Sequence, residues 1–190
     1  VEREIDLGFG ESLKMVLIPP GEFMMGSTEE ERGRFIFAVE KPADLESFKS
    51  EGPQHRVKIN RPFYHGAHEI TQEQWFAVMG TNPSSFSFNP SNPVEQISWG
   101  DAKTFISSLN RANSSSKITF VLPTEAQWEF ACRSGTSTPW YSGNDEHELS
   151  NYTWIEERLD SELKETPHSV GERLPNAFGL YDMHGNVAEF

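Results

Sequence analysis

One cysteine, Cys132, is all the chain contains, which excludes an internal disulfide and any multi-cysteine zinc site within these residues. Basic residues are scarce: 16 lysines and arginines face 29 acidic residues, a formal charge of −13. Phosphate contact requires clustered Lys and Arg, so nucleic acid is not an expected partner. No apolar run approaches the roughly 20 residues that cross a bilayer as a helix, and no signal peptide is visible. No Gly-x-Ser-x-Gly elbow is present for a serine hydrolase, no glycine pattern cradles phosphate, and no internal repeat stands out. Nothing assigns a compartment. Two glycosylation sequons, at Asn113 and Asn151, are matches that arise easily by chance.

What is present is aromatic. The 190 residues hold 14 Phe and 5 Trp, enough for one domain with a real core. The acidity reads most simply as solubility, with attraction of cations or basic peptides as the sharper alternative. Lys14 to Phe23, KMVLIPPGEF, reads as a strand that ends in a turn. Residues 27–52 read as a surface insertion with at most one short helix. His55 to Thr71 alternates at Val57 and Ile59, suggesting two strands or a bent one. Thr71 caps a helix that ends at Gly80. Three Asn-Pro pairs between Thr81 and Pro93 exclude regular structure. Ser98 caps a second helix, with Asp101 as partner and Ala102, Phe105, Ile106 and Leu109 as its buried stripe. Lys117 to Leu122 reads as a short strand. Thr124 and Gln127 form a capping box on a third helix, whose Trp128, Ala131 and Cys132 share one face. The class is α+β with long loops.

Five stretches in order, MVLIPPGEFMMGS, EGPQHRVKINRPFYHGAHEITQEQW, NPVEQISWGDAKTF, LPTEAQWEFACRSGT and PNAFGLYDMHGNVAEF, resemble the formylglycine-generating enzyme, or sulfatase-modifying factor, family. The resemblance runs from about Met15 to Phe190. It implies a variant of the C-type lectin-like fold with little regular secondary structure. It also implies an oxidoreductase that uses O₂ and copper(I), held by two cysteines, to convert a cysteine of a sulfatase Cys-x-Pro-x-Arg segment to Cα-formylglycine. Some relatives act on sulfur compounds at iron, and others have lost catalysis and serve as binding modules.

Copper(I) is soft and suits a pair of thiolates. The resemblance places that pair beyond the GNVAEF stretch, and Cys132 does not match it. The expectation is therefore a single domain, 1–190, lacking its C-terminal part. It would be the N-terminal and central scaffold of a formylglycine-generating protein, inactive alone, with a sulfatase-type polypeptide as the parent's substrate. The alternative is a non-catalytic lectin-like module that binds a peptide or protein. No catalytic residue is assigned. With no base seen beside it, Cys132 reads as a small buried hydrophobe.

DMHGNVAEF is the ligand-site candidate. By the resemblance it binds a structural Ca²⁺ through the Asp182 side chain, the Gly185 and Val187 carbonyls, and the Glu189 side chain. This mixture of oxygens suits calcium, with Gly185 expected to let the loop turn tightly. From spacing alone, a Gly-centred turn with solvated carboxylates is the plainer reading. Family members usually carry Trp where this chain has Ala188. A second family calcium site would begin at Asn151 and the Tyr152 carbonyl, but EERLDSELKE does not match its remainder. His65 and His68 of HGAHE fall three apart on an expected strand and read as structural. His168 and His184 show no partner. Glu129 and Arg133 form a helical i,i+4 pair worth a few tenths of a kcal/mol. Trp140, Tyr141 and Trp154 line a peptide groove or belong to the core.

Overall fold

Strand β2 (Glu11–Ile18) divides two hydrophobic cores in the computed structural model, which describes residues 1–8, 10–36, 46, 49–154 and 166–190. Successive strand residues point to opposite faces. Val16 and Ile18 enter one core with Ala67, Phe130, Ala131, Cys132, Tyr141, Leu180 and Met183. Leu13 and Met15 face the other, made of Ile5, Trp75, Val94, Phe105, Leu109 and Phe120. β2 is the centre of an antiparallel three-stranded sheet, between β1 (Glu2–Gly8) and the later strand β5 (Phe63–Gly66). β1 precedes anything the sequence reading assigned.

Pro19 and Pro20 end β2, and the chain re-enters as β3 (Gly21–Met25), paired antiparallel with β4 (His55–Ile59) in a second sheet. Helix α1 (Glu29–Ile36) lies between them. Residues 37–45, 47 and 48 of the expected insertion lie outside the described residues. The two strands expected between His55 and Thr71 are β4 and β5.

Three helices start where side-chain chemistry says they should. α2 (Gln72–Met79), α3 (Trp99–Ala112) and α4 (Glu125–Arg133) begin on complete capping boxes, Thr71–Gln74, Ser98–Asp101 and Thr124–Gln127. Each satisfies two otherwise orphaned backbone donors. Gly80 ends α2 in the left-handed region at φ 70°, as a C-terminal glycine does. Gln74 also donates to the Ser12 carbonyl at 2.8 Å, tying the start of α2 to β2. Trp75 stacks on Phe105 of α3 with centroids 4.9 Å apart. The one-turn α5 (Glu146–Leu149) follows.

Lys117 to Leu122 is not a strand. The Asn110 side chain takes the place of a strand partner, accepting from the Phe120 N–H at 2.8 Å and donating to its carbonyl at 2.9 Å. One amide thus satisfies the backbone that a ladder would have paired. The observed class, α+β with small sheets and long loops, is the expected one.

Candidate functional site: the C-terminal loop and an apolar groove

Asn176 anchors the C-terminal loop to the end of α4. Its amide donates to the carbonyls of Ala131 at 2.8 Å and Cys132 at 3.1 Å. Its Oδ1 accepts from Phe178 and Leu180. Further on, the Tyr181 N–H donates to the Ala67 carbonyl at 2.8 Å, laying the loop beside the chain that leaves β5. The turn that follows is made by Asp182 at φ 58° and Asn186 at φ 71°, not by Gly185. Gly185 is required for another reason: a Cβ there would meet Thr153 Oγ1 at 2.3 Å and the Trp154 carbonyl oxygen at 2.6 Å. Asn186 holds His168 by a reciprocal pair of bonds at 2.9 and 3.1 Å.

The residues expected to hold calcium lie along this loop, with Asp182 buried and Glu189 exposed. Asp182 is 2 % exposed. Its Oδ2 accepts from the Gly171 N–H at 2.6 Å, while its Oδ1 has no partner. The Gly185 carbonyl accepts from Val187 at 3.1 Å, which leaves one of its two lone-pair positions. Glu189 is at the surface, and its Oε2 accepts from the Trp128 indole at 2.5 Å. Burial pushes the Asp182 carboxyl above the ordinary carboxylate range. The plainer reading, a turn with both carboxylates in solvent, is corrected at Asp182. Its orphaned buried oxygen is of the kind a hard cation would satisfy, so the donor set fits calcium in chemistry. Among the described residues no three His, Cys, Asp or Glu side chains converge as metal ligands. Any cation there would draw on carbonyls and water as well. The Tyr152 carbonyl of the doubtful second site accepts from the Tyr141 hydroxyl at 2.8 Å, and residues 155–165 lie outside the described residues.

Cys132 is 4 % exposed, as its helical face required. The sequence found no partner for it; the fold sets an imidazole beside it. His184 approaches the sulfur at 3.8 Å, stacks on Tyr141 with centroids 4.6 Å apart, and accepts the Tyr141 N–H through Nε2 at 3.1 Å, so that Nδ1, carrying the proton, faces the sulfur. The pair is chemically quiet. Burial pushes the thiol up to about 12 and holds the imidazole down at about 4. At neutral pH both are uncharged, and a neutral thiol is neither a nucleophile nor a metal ligand.

The Glu129–Arg133 pair is more than a surface decoration. It spans 2.7 Å, with side chains 19 % and 17 % exposed. It also clamps the end of β3: Glu129 Oε1 accepts the Gly26 N–H at 2.9 Å, and Arg133 donates to the Gly26 carbonyl at 3.2 Å. Trp154 is sandwiched by His168 and Arg173, each 3.7 Å away, and Tyr141 is core.

The aromatic groove is made by other residues. An opening of about 750 Å³ lies between the face of β1–β2–β5, α3, residues 118–123 and the last residues of the chain. Leu13, Trp75, Phe105 and Leu109 form its floor, and Tyr64, Val121, Trp128 and Phe190 stand along it. Val121 is 69 % exposed. His65, His68, Glu69 and Glu189 make one polar end, beside the C-terminal loop. His65 and His68 are half-buried, each bonded to a nearby carbonyl.

The family profile described as the sulfatase-modifying factor enzyme 1-like domain matches residues 9–190. A chaperone protein, LppX, of Paenibacillus barcinonensis is 29 % identical over 172 residues, covering 67 % of this chain and 61 % of that protein. The formylglycine-generating enzyme of Mycobacterium tuberculosis is 36 % identical over 106 residues, 52 % of this chain and 32 % of that one. Among solved structures, Treponema denticola variable protein 1 superposes with a TM-score of 0.78 at 26 % identity, covering 100 % of this chain and 76 % of its own. The chain thus spans about 61 % and 32 % of these two curated relatives.

Proposed function

We propose, on the premise that this chain belongs to the sulfatase-modifying factor enzyme 1-like family, that it is a polypeptide-binding scaffold without oxidase chemistry of its own. The observation that carries this is the groove: about 750 Å³, floored by Trp75 and Phe105 and rimmed by exposed apolar side chains. That volume is in the range of built ligand sites. An extended peptide offers apolar side chains on one face and backbone groups on the other. A relative named as a chaperone protein favours the same reading. The only thiol in these residues is buried and protonated, so they cannot assemble a two-thiolate copper site.

Titration with short apolar peptides, followed by tryptophan fluorescence, tests the reading. Saturable binding that Val121→Asp weakens, with no fall in Tm, is the expected result. Peptides that leave the emission unchanged at millimolar concentration would refute it.

The second reading is that the chain is part of a protein that generates formylglycine from a sulfatase cysteine. The match to enzymes of that name favours it. Both readings have the groove receive a polypeptide, and they differ on turnover. Mass spectrometry of a Cys-x-Pro-x-Arg peptide incubated with copper(I), O₂ and these 190 residues separates them. The scaffold reading expects unmodified peptide, and any formylglycine product sinks it.

The loop carries a structural Ca²⁺ in this proposal, held by Asp182, the Gly185 and Val187 carbonyls, and Glu189. What supports it is the unpartnered, buried Asp182 Oδ1. When bound, the ion supplies positive charge and a cross-link. A ligand that binds only the native state raises its stability. Calcium should therefore raise the melting temperature, and an unchanged value in both the wild type and Asp182→Ala argues against the site.

A further inference from the structure

Glu69 follows β5 and lies outside the loop from which the calcium ligands were drawn. It is 9 % exposed, and both of its carboxylate oxygens are buried without a hydrogen-bond partner. Its backbone segment is tied to the loop by the Tyr181 to Ala67 bond. The Glu69 and Asp182 carboxyls stand close enough for one to hydrogen-bond the other when protonated. Glu189 adds its charge from the groove side. Glu69 and Asp182 thus carry three buried carboxylate oxygens without a partner, on two segments that the Tyr181 to Ala67 bond holds side by side.

Among the described residues no fixed cation stands against these carboxyls: no Lys or Arg pairs with Glu69, Asp182 or Glu189. His68 faces Asp182, His65 faces Glu189, and the Asn186 amide lies by Glu69. These soften the field without supplying a fixed cation. Buried carboxylates are met by a charged partner, by a proton, or by a metal. Calcium takes six to eight oxygens in flexible geometry, and two facing carboxylates with loop carbonyls and water form such a set.

We propose that Glu69 is a ligand of the Ca²⁺ assigned above, with the ion seated between Glu69 and Asp182. One ion then fastens the chain leaving β5 to the C-terminal loop, at the polar end of the groove. The inference rests on the calcium reading and puts Glu69 in the place of Glu189, which the Trp128 indole holds on the groove side, as the second carboxylate of the ion.

Calorimetric titration of CaCl₂ into the metal-free chain, with the calcium-induced change in Tm read alongside, tests it. Wild type binds. Glu69→Gln binds at least about tenfold more weakly, comparably to Asp182→Asn, because ligand charge sets calcium affinity. Its calcium-induced Tm shift is lost, while its metal-free Tm is no lower than that of wild type, since a neutral amide of the same shape is no costlier to bury than an unpartnered carboxyl. Glu69→Asp keeps the charge and recovers part of the affinity, which separates ligation from misfolding of the Gln variant. If Glu69→Gln binds calcium within about threefold of wild type, a difference of under 1 kcal/mol, the inference fails and the calcium reading stands. If wild type gives neither binding heat nor a Tm shift, the calcium reading fails and takes the inference with it.

Discussion

Removing the Glu129 carboxylate distinguishes what its helix says from what its fold says. As an i,i+4 pair on a solvated helix, Glu129 and Arg133 would be worth about 0.3–0.5 kcal/mol. In the structure Glu129 Oε1 receives both the Arg133 Nε at 2.7 Å and the Gly26 N–H at 2.9 Å, with side chains 17 % and 19 % exposed. Glu129→Ala breaks a hydrogen bond to a charged group, worth about 1.5–3 kcal/mol. It also leaves Arg133 and the Gly26 N–H without that acceptor in a partly closed site. The expected loss is about 2–3 kcal/mol. At about 2–4 °C per kcal/mol for a domain of this size, Tm falls by roughly 4–12 °C. Urea denaturation followed by circular dichroism gives the free energy. A double-mutant cycle with Arg133→Met gives the coupling. The exposed Lys14–Glu2 pair, 37 % and 58 % exposed, serves as the control and should cost under about 0.5 kcal/mol. If Glu129→Ala costs no more than that control, the clamp on Gly26 carries no energy and the reasoning is wrong.

Three further outcomes follow from the same geometry. Gly185→Ala drives a Cβ against Thr153 and the Trp154 carbonyl and should cost about 1–3 kcal/mol by overpacking; a variant as stable as wild type in the same denaturation would remove the packing argument. Cys132 should resist iodoacetamide at pH 8 in the native chain and react only on unfolding, because burial pushes its thiol up to about 12; rapid native labelling, read by intact mass, would contradict this. His184 is held down at about 4 by burial, against an ordinary value of 6.5. Between those values the unfolded chain binds the proton and the folded chain does not. Its contribution is therefore fully present above pH 6.5 and lost as pH falls toward 4. His184→Gln should flatten the stability profile in that window, and an unchanged slope would count against the assignment.

Where the sequence was legible, the deciding contact was local. The Thr71, Ser98 and Thr124 caps close hydrogen bonds over three residues, so those helix starts are written in adjacent letters. The inward face of Cys132 follows from helical spacing alone, and the lack of a second thiol follows from counting. The neighbours of those residues were not legible. Lys117 to Leu122 reads as a short strand in the sequence, but the Asn110 side chain meets the Phe120 backbone instead. His184 seemed to have no partner until the loop at Asn176 folded back and set it against Cys132 and Tyr141. Glu69 looked like part of a histidine motif, and only the bond from Tyr181 to Ala67 brings it to Asp182. Spacing along the chain specifies which groups share a turn of helix or a strand face. It carries no term for contacts between distant segments, and it is those contacts that set burial, and through burial the charge state of the thiol, the imidazole and the paired carboxylates.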